Sequence, residues 1–139
     1  MLARQDIADR VLALPVAAAL GLVFEELADG HAVSRLAWRP ELSHAPGVFQ
    51  ANPIAALSDF TGVSAGLTLF PEGTAAATAD YTAKFLAEAR GNSLVAHARV
   101  LRPGPLTVSA VDVFAVADDG ERLCATVLVT MRVFVARSS

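Results

Sequence analysis

The chain has 139 residues, enough for one domain with a substantial hydrophobic core. Hydrophobic residues make up 54% and charged residues 18% of it, which excludes a disordered chain. No apolar run reaches the ~20 residues of a membrane span, and the net charge of −3 provides no basic surface for nucleic acid or anionic lipid.

Several classes of site are also excluded. The one cysteine, Cys124, allows no internal disulfide, and its apolar neighbours indicate a buried core residue. Three scattered histidines do not suggest a structural metal site. There is no phosphate loop and no dinucleotide fingerprint, so no cofactor is predicted. The N-terminus lacks a signal pattern, which predicts a cytoplasmic protein. The high apolar content predicts that another subunit covers part of the surface.

Hydrophobic spacing and turn residues divide the chain into helices and strands. In chain order, the predicted elements are a helix over residues 2–14 ended by Pro15, strands over 20–27 and 32–38 joined by an Asp29-Gly30 hairpin turn, a loop over 39–49, a long apolar helix up to Gly66, a turn at Pro71–Gly73, and strands over 74–86, 94–102, 106–116 and 122–135. Short turns between the last four strands predict an antiparallel meander. The last strand places Val127, Val129, Met131, Val133 and Val135 on one face.

A single central helix that is apolar on most of its surface must be covered by other elements. We therefore predict an α+β fold with a six-stranded antiparallel sheet wrapped around the helix. Asn52 is the predicted N-cap of this helix, with Pro53 at its first position. Residues 1–139 are expected to form a single domain.

Asp59 is the only Asp, Glu, Lys or Arg residue between Glu41 and Glu72. A carboxylate in so apolar a stretch is costly to bury, and burial would raise its pKa and suit it to act as a base or nucleophile. Small residues one helical turn away, such as Ala55 and Gly62, could leave room beside it for a ligand or another chain. Alternatively, Asp59 bonds a backbone group and has a structural role.

Other polar groups near this helix allow two interpretations each. The Ala51 N–H at the helix start could stabilise an oxyanion, with Gln50 beside it, whereas Gln50 and His44 could equally be solvated loop residues. Four cations lie around two β segments: Lys84, Arg90, Arg99 and Arg102. They form either a solvated face or a phosphate-binding set for a nucleotide-tailed substrate.

The segment from Gly47 to Asp59 resembles the motif of the hotdog-fold acyl-CoA thioesterases of the phenylacetyl-CoA thioesterase type. That family commonly shows an Asn, a Gly, His-Gly-Gly and then an apolar helix with Leu-Ala-Asp. Asp59 matches the catalytic acid. The segment from Tyr81 to Gly91 is similar to the family's strand leading to Phe-Leu and a Gly turn, and the layout matches from about residue 20 to 135.

This sequence departs from the family at several motif positions. Gln50 stands where the family has His, Ala51 and Asn52 stand at its two glycines, and His44 falls on its Asn. Leu86 takes the place of a frequent Ser or Thr. The resemblance implies that the Ala51 N–H polarises the carbonyl, that Gln50 positions the carbonyl or a water, and that each site lies between two subunits of a homodimer or homotetramer. The resemblance further implies that Gly47, Phe49, Asn52 and Phe60 contact the substrate and that Leu57 contributes to the apolar lining of the acyl pocket.

The resemblance thus predicts a hotdog-fold hydrolase, an acyl-CoA thioesterase that releases CoA and the free acid from an aryl- or medium-chain acyl-CoA. One alternative is a non-catalytic acyl-CoA or acyl-ligand binding protein on the same fold. Another is a hydratase or dehydratase in which His44 partners Asp59. Neither nucleic acid nor a membrane is an expected partner.

Overall fold

Three helices and eight strands follow one another within residues 2–134, the part of the chain that the computed structural model describes. They are α1 (Gln5–Leu12), α2 (Pro15–Leu20), β1 (Val23–Ala28), β2 (His31–Ala37), β3 (Ser43–Ala45), β4 (Val48–Phe49), α3 (Ala51–Leu67), β5 (Ala75–Phe85), β6 (Ser93–Arg102), β7 (Leu106–Ala117) and β8 (Gly120–Phe134). A 3₁₀ turn, Pro40–Leu42, precedes β3. Val135, predicted to end the last strand, lies outside the described residues.

Six of these strands form one antiparallel sheet in the order β1-β2-β6-β7-β8-β5, and α3 packs against its inner face. The predicted α+β architecture of a sheet around a central helix is confirmed. The β1–β2 hairpin is also confirmed, because Asp29 (φ 51°) and Gly30 (φ 80°) both adopt the positive φ of a two-residue hairpin turn.

The predicted four-strand meander is wrong for its first strand. β5 pairs with β8 at the far edge of the sheet, and only β6, β7 and β8 form a meander. The segment after β5 makes no tight turn into β6. Instead it passes the β3–β4 hairpin, where Ala89 O accepts a bond from the Phe49 N–H (2.9 Å) and Gly47 O accepts one from the Gly91 N–H (3.0 Å). Sequence spacing shows a short connection but not which strand it leads to.

The N-terminal third contains more structure than the sequence indicates. The helix predicted over residues 2–14 ends at Leu12, and Pro15 begins a second helix, α2, at its first position, where a missing N–H is tolerated. Because α2 ends at Gly21, which has a φ of 83°, β1 starts at Val23 rather than residue 20. The predicted loop over 39–49 contains β3 and β4.

The start of α3 also differs from the prediction. Gln50, not Asn52, is the N-cap residue, with an extended backbone (φ −70°, ψ 156°) and no side-chain capping bond. Ala51 is the first helical residue, so Asn52 and Pro53 take the second and third positions. Pro53 still lies in the first turn, whose N–H groups have no partner within the helix, and therefore costs no hydrogen bond.

Small residues on α3 bring the helix close to the sheet. A Cβ added to Gly62 would lie 3.0 Å from Cβ of Val129, and one added to Gly66 would lie 2.5 Å from Cε of Met131. Gly62 therefore leaves no open space beside Asp59, contrary to the expectation from sequence, but allows close packing against β8.

None of the helices within residues 2–134 combines the length and apolar character needed to cross a bilayer.

Candidate functional site

Asp59 lies in the middle of α3 at the boundary between the core and solvent, facing the edge strand β5. It is half-buried, and its Oδ1 accepts a hydrogen bond of 2.6 Å from the Thr78 hydroxyl. Both residues line a cleft of about 250 Å³. The carboxylate thus has one neutral donor and an open side toward the cleft.

Burial raises the pKa of Asp59 above its ordinary value, and the hydrogen bond from Thr78 opposes this shift by stabilising the carboxylate. A carboxylate with a raised pKa is a better proton acceptor than a solvated one. The expectation that burial raises the pKa of Asp59 is therefore confirmed.

The cleft runs from Asp59 between α1, α3 and β5. Its walls are mostly apolar, and Arg10 is the one cation that lines it. The apolar residues that line it are Ile7, Val11, Leu14, Phe60, Val63, Leu67 and Ala76. Phe60, predicted from sequence to contact substrate, is in this set. Leu57 and Phe49 are in the hydrophobic core instead, with 0% and 2% of their surface exposed.

The N-terminal end of α3 forms a second polar region. Gln50, Ala51 and Asn52 are exposed there, and no hydrogen bond within residues 2–134 uses the Ala51 N–H. Ala51 precedes Asp59 by eight residues, which places the two backbones about 12 Å apart along the helix. Within one chain, the Ala51 N–H and the Asp59 carboxylate therefore cannot act on the same carbonyl group.

Three further predicted residues lie near this helix end. Gly47, at φ 73°, forms the turn between β3 and β4, and His44 is exposed on β3. The Arg90 guanidinium reaches the same turn, since a Cβ added to Gly47 would lie 3.9 Å from its Nη1. Arg90 Nε also donates to Glu88 Oε1 (2.8 Å) in an exposed ion pair. The structure thus brings His44, Gly47 and Arg90 to one end of α3.

Lys84 does not join this group. It is exposed on β5 opposite Thr126, whose hydroxyl bonds Asp112 on the outer face of the sheet. Cys124 is buried, and burial raises the pKa of its thiol to about 11, in agreement with a core role. Within residues 2–134, no group of three or more His, Cys, Asp or Glu side chains could hold a metal ion.

The inner face of β5 is incompletely covered. Tyr81 pairs with Val129 and Phe85 with Ala125, and both partners on β8 are buried on the helix side of the sheet. Directly paired residues of an antiparallel sheet point to the same face. Even so, Tyr81 is 47% and Phe85 49% exposed, because α3 does not extend over this part of the edge strand.

Sequence reasoning missed Thr78 and the residues of α1 that line the cleft. Thr78 lies 19 residues after Asp59 on a strand rich in Ala and Thr, where nothing in the pattern distinguishes it from Thr82. The only available signal for α1 was its amphipathic face, which predicted burial but not the element that it contacts.

No protein-family model and no curated protein sequence matches the chain. Among solved structures, a thioesterase family protein from Silicibacter pomeroyi superimposes with a TM-score of 0.89 at 27% identity, covering 95% of this chain and 98% of that one. A thioesterase from Haemophilus influenzae has a TM-score of 0.80 at 18% identity, with coverages of 93% and 89%. A phenylacetic acid degradation-related protein from Ralstonia eutropha superimposes with a TM-score of 0.74 at 22% identity, covering 91% of this chain and 98% of that one. The predicted resemblance to thioesterases is confirmed in structure.

Proposed function

We propose that this chain is a hotdog-fold acyl-CoA thioesterase, one domain over residues 1–139, that hydrolyses an aryl- or medium-chain acyl-CoA to the free acid and CoA. The observation that carries the proposal is the half-buried Asp59 carboxylate, with its raised pKa, at an apolar cleft in a fold similar to thioesterases. We also infer that the protein is cytoplasmic.

Asp59 acts as general base or as nucleophile. As a base it takes a proton from water while the water oxygen bonds to the thioester carbonyl carbon, giving a tetrahedral oxyanion. The oxyanion then collapses, the C–S bond breaks, and the CoA thiolate leaves and takes up a proton. As a nucleophile, Asp59 would bond to the carbonyl carbon and form an acyl anhydride as the C–S bond breaks and the CoA thiolate leaves, and water would then cleave the anhydride to the free acid and the Asp59 carboxylate.

The oxyanion needs hydrogen-bond donors, and the Ala51 N–H at the positive end of the α3 dipole is suited to this role. The separation of about 12 Å between Ala51 and Asp59 requires the two to come from different copies of the chain. We therefore propose a homodimer, or a homotetramer built from it, in which each site combines Asp59 of one subunit with Ala51 and Gln50 of the other.

The β5 edge favours this assembly. It is an 11-residue edge strand with unpaired backbone groups and two half-exposed aromatic residues on its inner face, Tyr81 and Phe85. Pairing of β5 with β5 of a second copy would continue the sheet and cover these rings. Since Asp59 bonds Thr78 on the same strand, the assembly would also bring the second copy toward the acid.

Other residues near the start of α3 would hold the substrate. Gln50 would orient the carbonyl or water, while His44, Gly47 and Asn52 would contact the thioester end of CoA. Arg90, beside the Gly47 turn, would bind a CoA phosphate. Phe60 would contact the acyl group. Lys84 and Phe49 receive no role, because one lies on the outer face of β5 and the other in the core.

A thiol-release assay over short, medium, long and aromatic acyl-CoAs tests the proposal. We expect turnover to be highest for medium-chain or aromatic substrates. The alternative, a non-catalytic acyl-CoA binding protein, is favoured by Gln50, which cannot shuttle a proton as the family's His can. Tight acyl-CoA binding without thiol release above background would establish that alternative.

A further inference from the structure

The cleft at Asp59 is also lined by a cation. Arg10 on α1 lines the cleft, and its Nη1 donates to the backbone oxygen of Thr74 at a distance of 2.8 Å. Arg10 makes no ion pair within residues 2–134, whereas Arg4, Arg35 and Arg90 each pair with an acid. A guanidinium has five N–H donors, so this one backbone bond leaves most of them available to a ligand.

The hydrogen-bond partners of the two charges give their approximate separation. Thr78 bonds Asp59 and Thr74 bonds Arg10, and these threonines are four residues apart, about 13 Å along an extended chain. On α3, Leu67 lies two turns beyond Asp59, about 12 Å along the axis. The apolar side chains of Val11, Val63 and Ala76 line the same cleft.

We propose that the cleft selects acyl groups that carry a terminal carboxylate, so that the preferred substrate is the mono-CoA thioester of a medium-chain dicarboxylic acid. This inference rests on the proposed thioesterase function. The terminal carboxylate would bind the Arg10 guanidinium through charge-assisted hydrogen bonds, and the methylene chain would occupy the apolar walls. The thioester carbonyl would then lie at Asp59.

The two charges also fix the orientation of the substrate. The terminal carboxylate of the acyl group is repelled by the Asp59 carboxylate and attracted by Arg10. The substrate is therefore favoured with this carboxylate at Arg10 and the thioester at Asp59. The volume of about 250 Å³ suits a medium chain. A short dicarboxylic chain such as succinyl could not reach from Asp59 to Arg10, and we expect adipyl-CoA or suberyl-CoA to be better substrates than succinyl-CoA.

The test compares adipyl-CoA with hexanoyl-CoA, which has the same chain length and no terminal charge. For each enzyme the readout is the ratio of kcat/KM for adipyl-CoA to kcat/KM for hexanoyl-CoA. We expect Arg10→Gln to lower this ratio by about fivefold or more, an effect limited by the exposure of the guanidinium. Arg10→Lys should retain part of the ratio, and Arg132→Gln, which removes an exposed cation on β8, should leave it unchanged.

An equal loss with both substrates in Arg10→Gln would overturn the proposal, because Arg10 would then act on the CoA moiety or on the fold. A wild-type enzyme that prefers hexanoyl-CoA would also overturn it. If the wild type cleaves neither thioester, the proposed function fails, and calorimetric binding of adipyl-CoA and hexanoyl-CoA, which then stay intact, decides the inference separately. Tighter binding of adipyl-CoA that is lost in Arg10→Gln supports it, and equal binding of the two thioesters contradicts it.

Discussion

The Thr78 hydroxyl donates a 2.6 Å hydrogen bond to Oδ1 of Asp59 and so joins the edge strand β5 to the middle of α3. This is the one side-chain hydrogen bond that Asp59 receives within residues 2–134. Burial raises the pKa of the carboxyl group and the hydrogen bond from Thr78 lowers it, so these two effects together set the pH at which Asp59 is ionised.

Replacing Thr78 by Val removes this donor with little change in volume. Because the bond stabilises the carboxylate, its loss should raise the pKa of Asp59 further. We therefore expect the acidic limb of the pH profile of kcat/KM for thioester hydrolysis to move to higher pH. Thr82→Val on the same strand is the matched control and should leave the limb in place. An unshifted limb in Thr78→Val would mean that a group other than Asp59 controls it.

Asp59 should also affect the pH dependence of stability. Burial raises its pKa in the folded protein above its ordinary value, so the folded state holds the proton more tightly than the unfolded chain. Any stability from this difference is fully present below about pH 4 and is lost as the pH rises through the raised pKa. As the pH rises through the raised pKa, the wild type should therefore lose free energy of unfolding, whereas Asp59→Asn, which has no proton to release there, should not. Urea unfolding at a series of pH values measures this, and parallel curves for the two proteins would contradict it.

Ala51→Pro removes one N–H from the proposed oxyanion site. Proline is favoured at the first helical position, and the extended backbone of Gln50 (φ −70°, ψ 156°) is compatible with a following proline. We expect kcat to fall by about 10²–10³, with thermal stability close to wild type. Ala51→Ser, which changes the same side chain but keeps the N–H, is the control. Full activity in Ala51→Pro would exclude its N–H as the oxyanion donor.

Mixing the Asp59→Asn and Ala51→Pro proteins tests whether each site is shared between subunits. In a randomly reassociated equimolar mixture, roughly a quarter of the sites would combine an intact Asp59 with an intact Ala51. We expect thiol release to recover to about that fraction after subunit exchange. No recovery, with exchange verified by mass-tagged subunits, would contradict a site built from two chains.

The exposed inner face of β5 leads to a prediction about assembly. Tyr81→Lys places a charge where we propose that a second copy covers the strand, and should yield monomers with at least tenfold lower thiol release. Leu101→Lys is the matched control, since Leu101 on β6 is similarly exposed (52%) but is not on an edge strand. Sedimentation equilibrium gives the oligomeric state. An unchanged oligomer in Tyr81→Lys would place the interface elsewhere.

The local features of this fold could be predicted from sequence, whereas the long-range pairing could not. Asp29-Gly30 specifies its hairpin through the φ values it permits, and the apolar surface of α3 requires cover on several sides. Nothing local determines that β5 pairs with β8 rather than β6, since β6 and β7 separate β5 from β8 along the chain.

The same distinction applies to the candidate site. Asp59 could be identified from sequence because an isolated carboxylate in an apolar helix is energetically unusual. Its partners Thr78 and Arg10 could not, since one comes from an edge strand and the other from α1, and ordinary Thr and Arg residues in amphipathic elements carry no signal. The capping prediction at Asn52 failed because Gln50 already has the extended backbone of an N-cap residue and the helix starts directly after it.

The most direct test of the account is the rate of CoA thiol release by wild type and by Asp59→Asn, measured over the same panel of acyl-CoAs. Asparagine keeps the shape of the side chain and can still accept the Thr78 bond, but it cannot act as a base or a carboxylate nucleophile. We expect wild type to turn over at least one medium-chain or aromatic substrate and Asp59→Asn to be slower by about 10²-fold or more. Turnover by Asp59→Asn equal to that of wild type would contradict it.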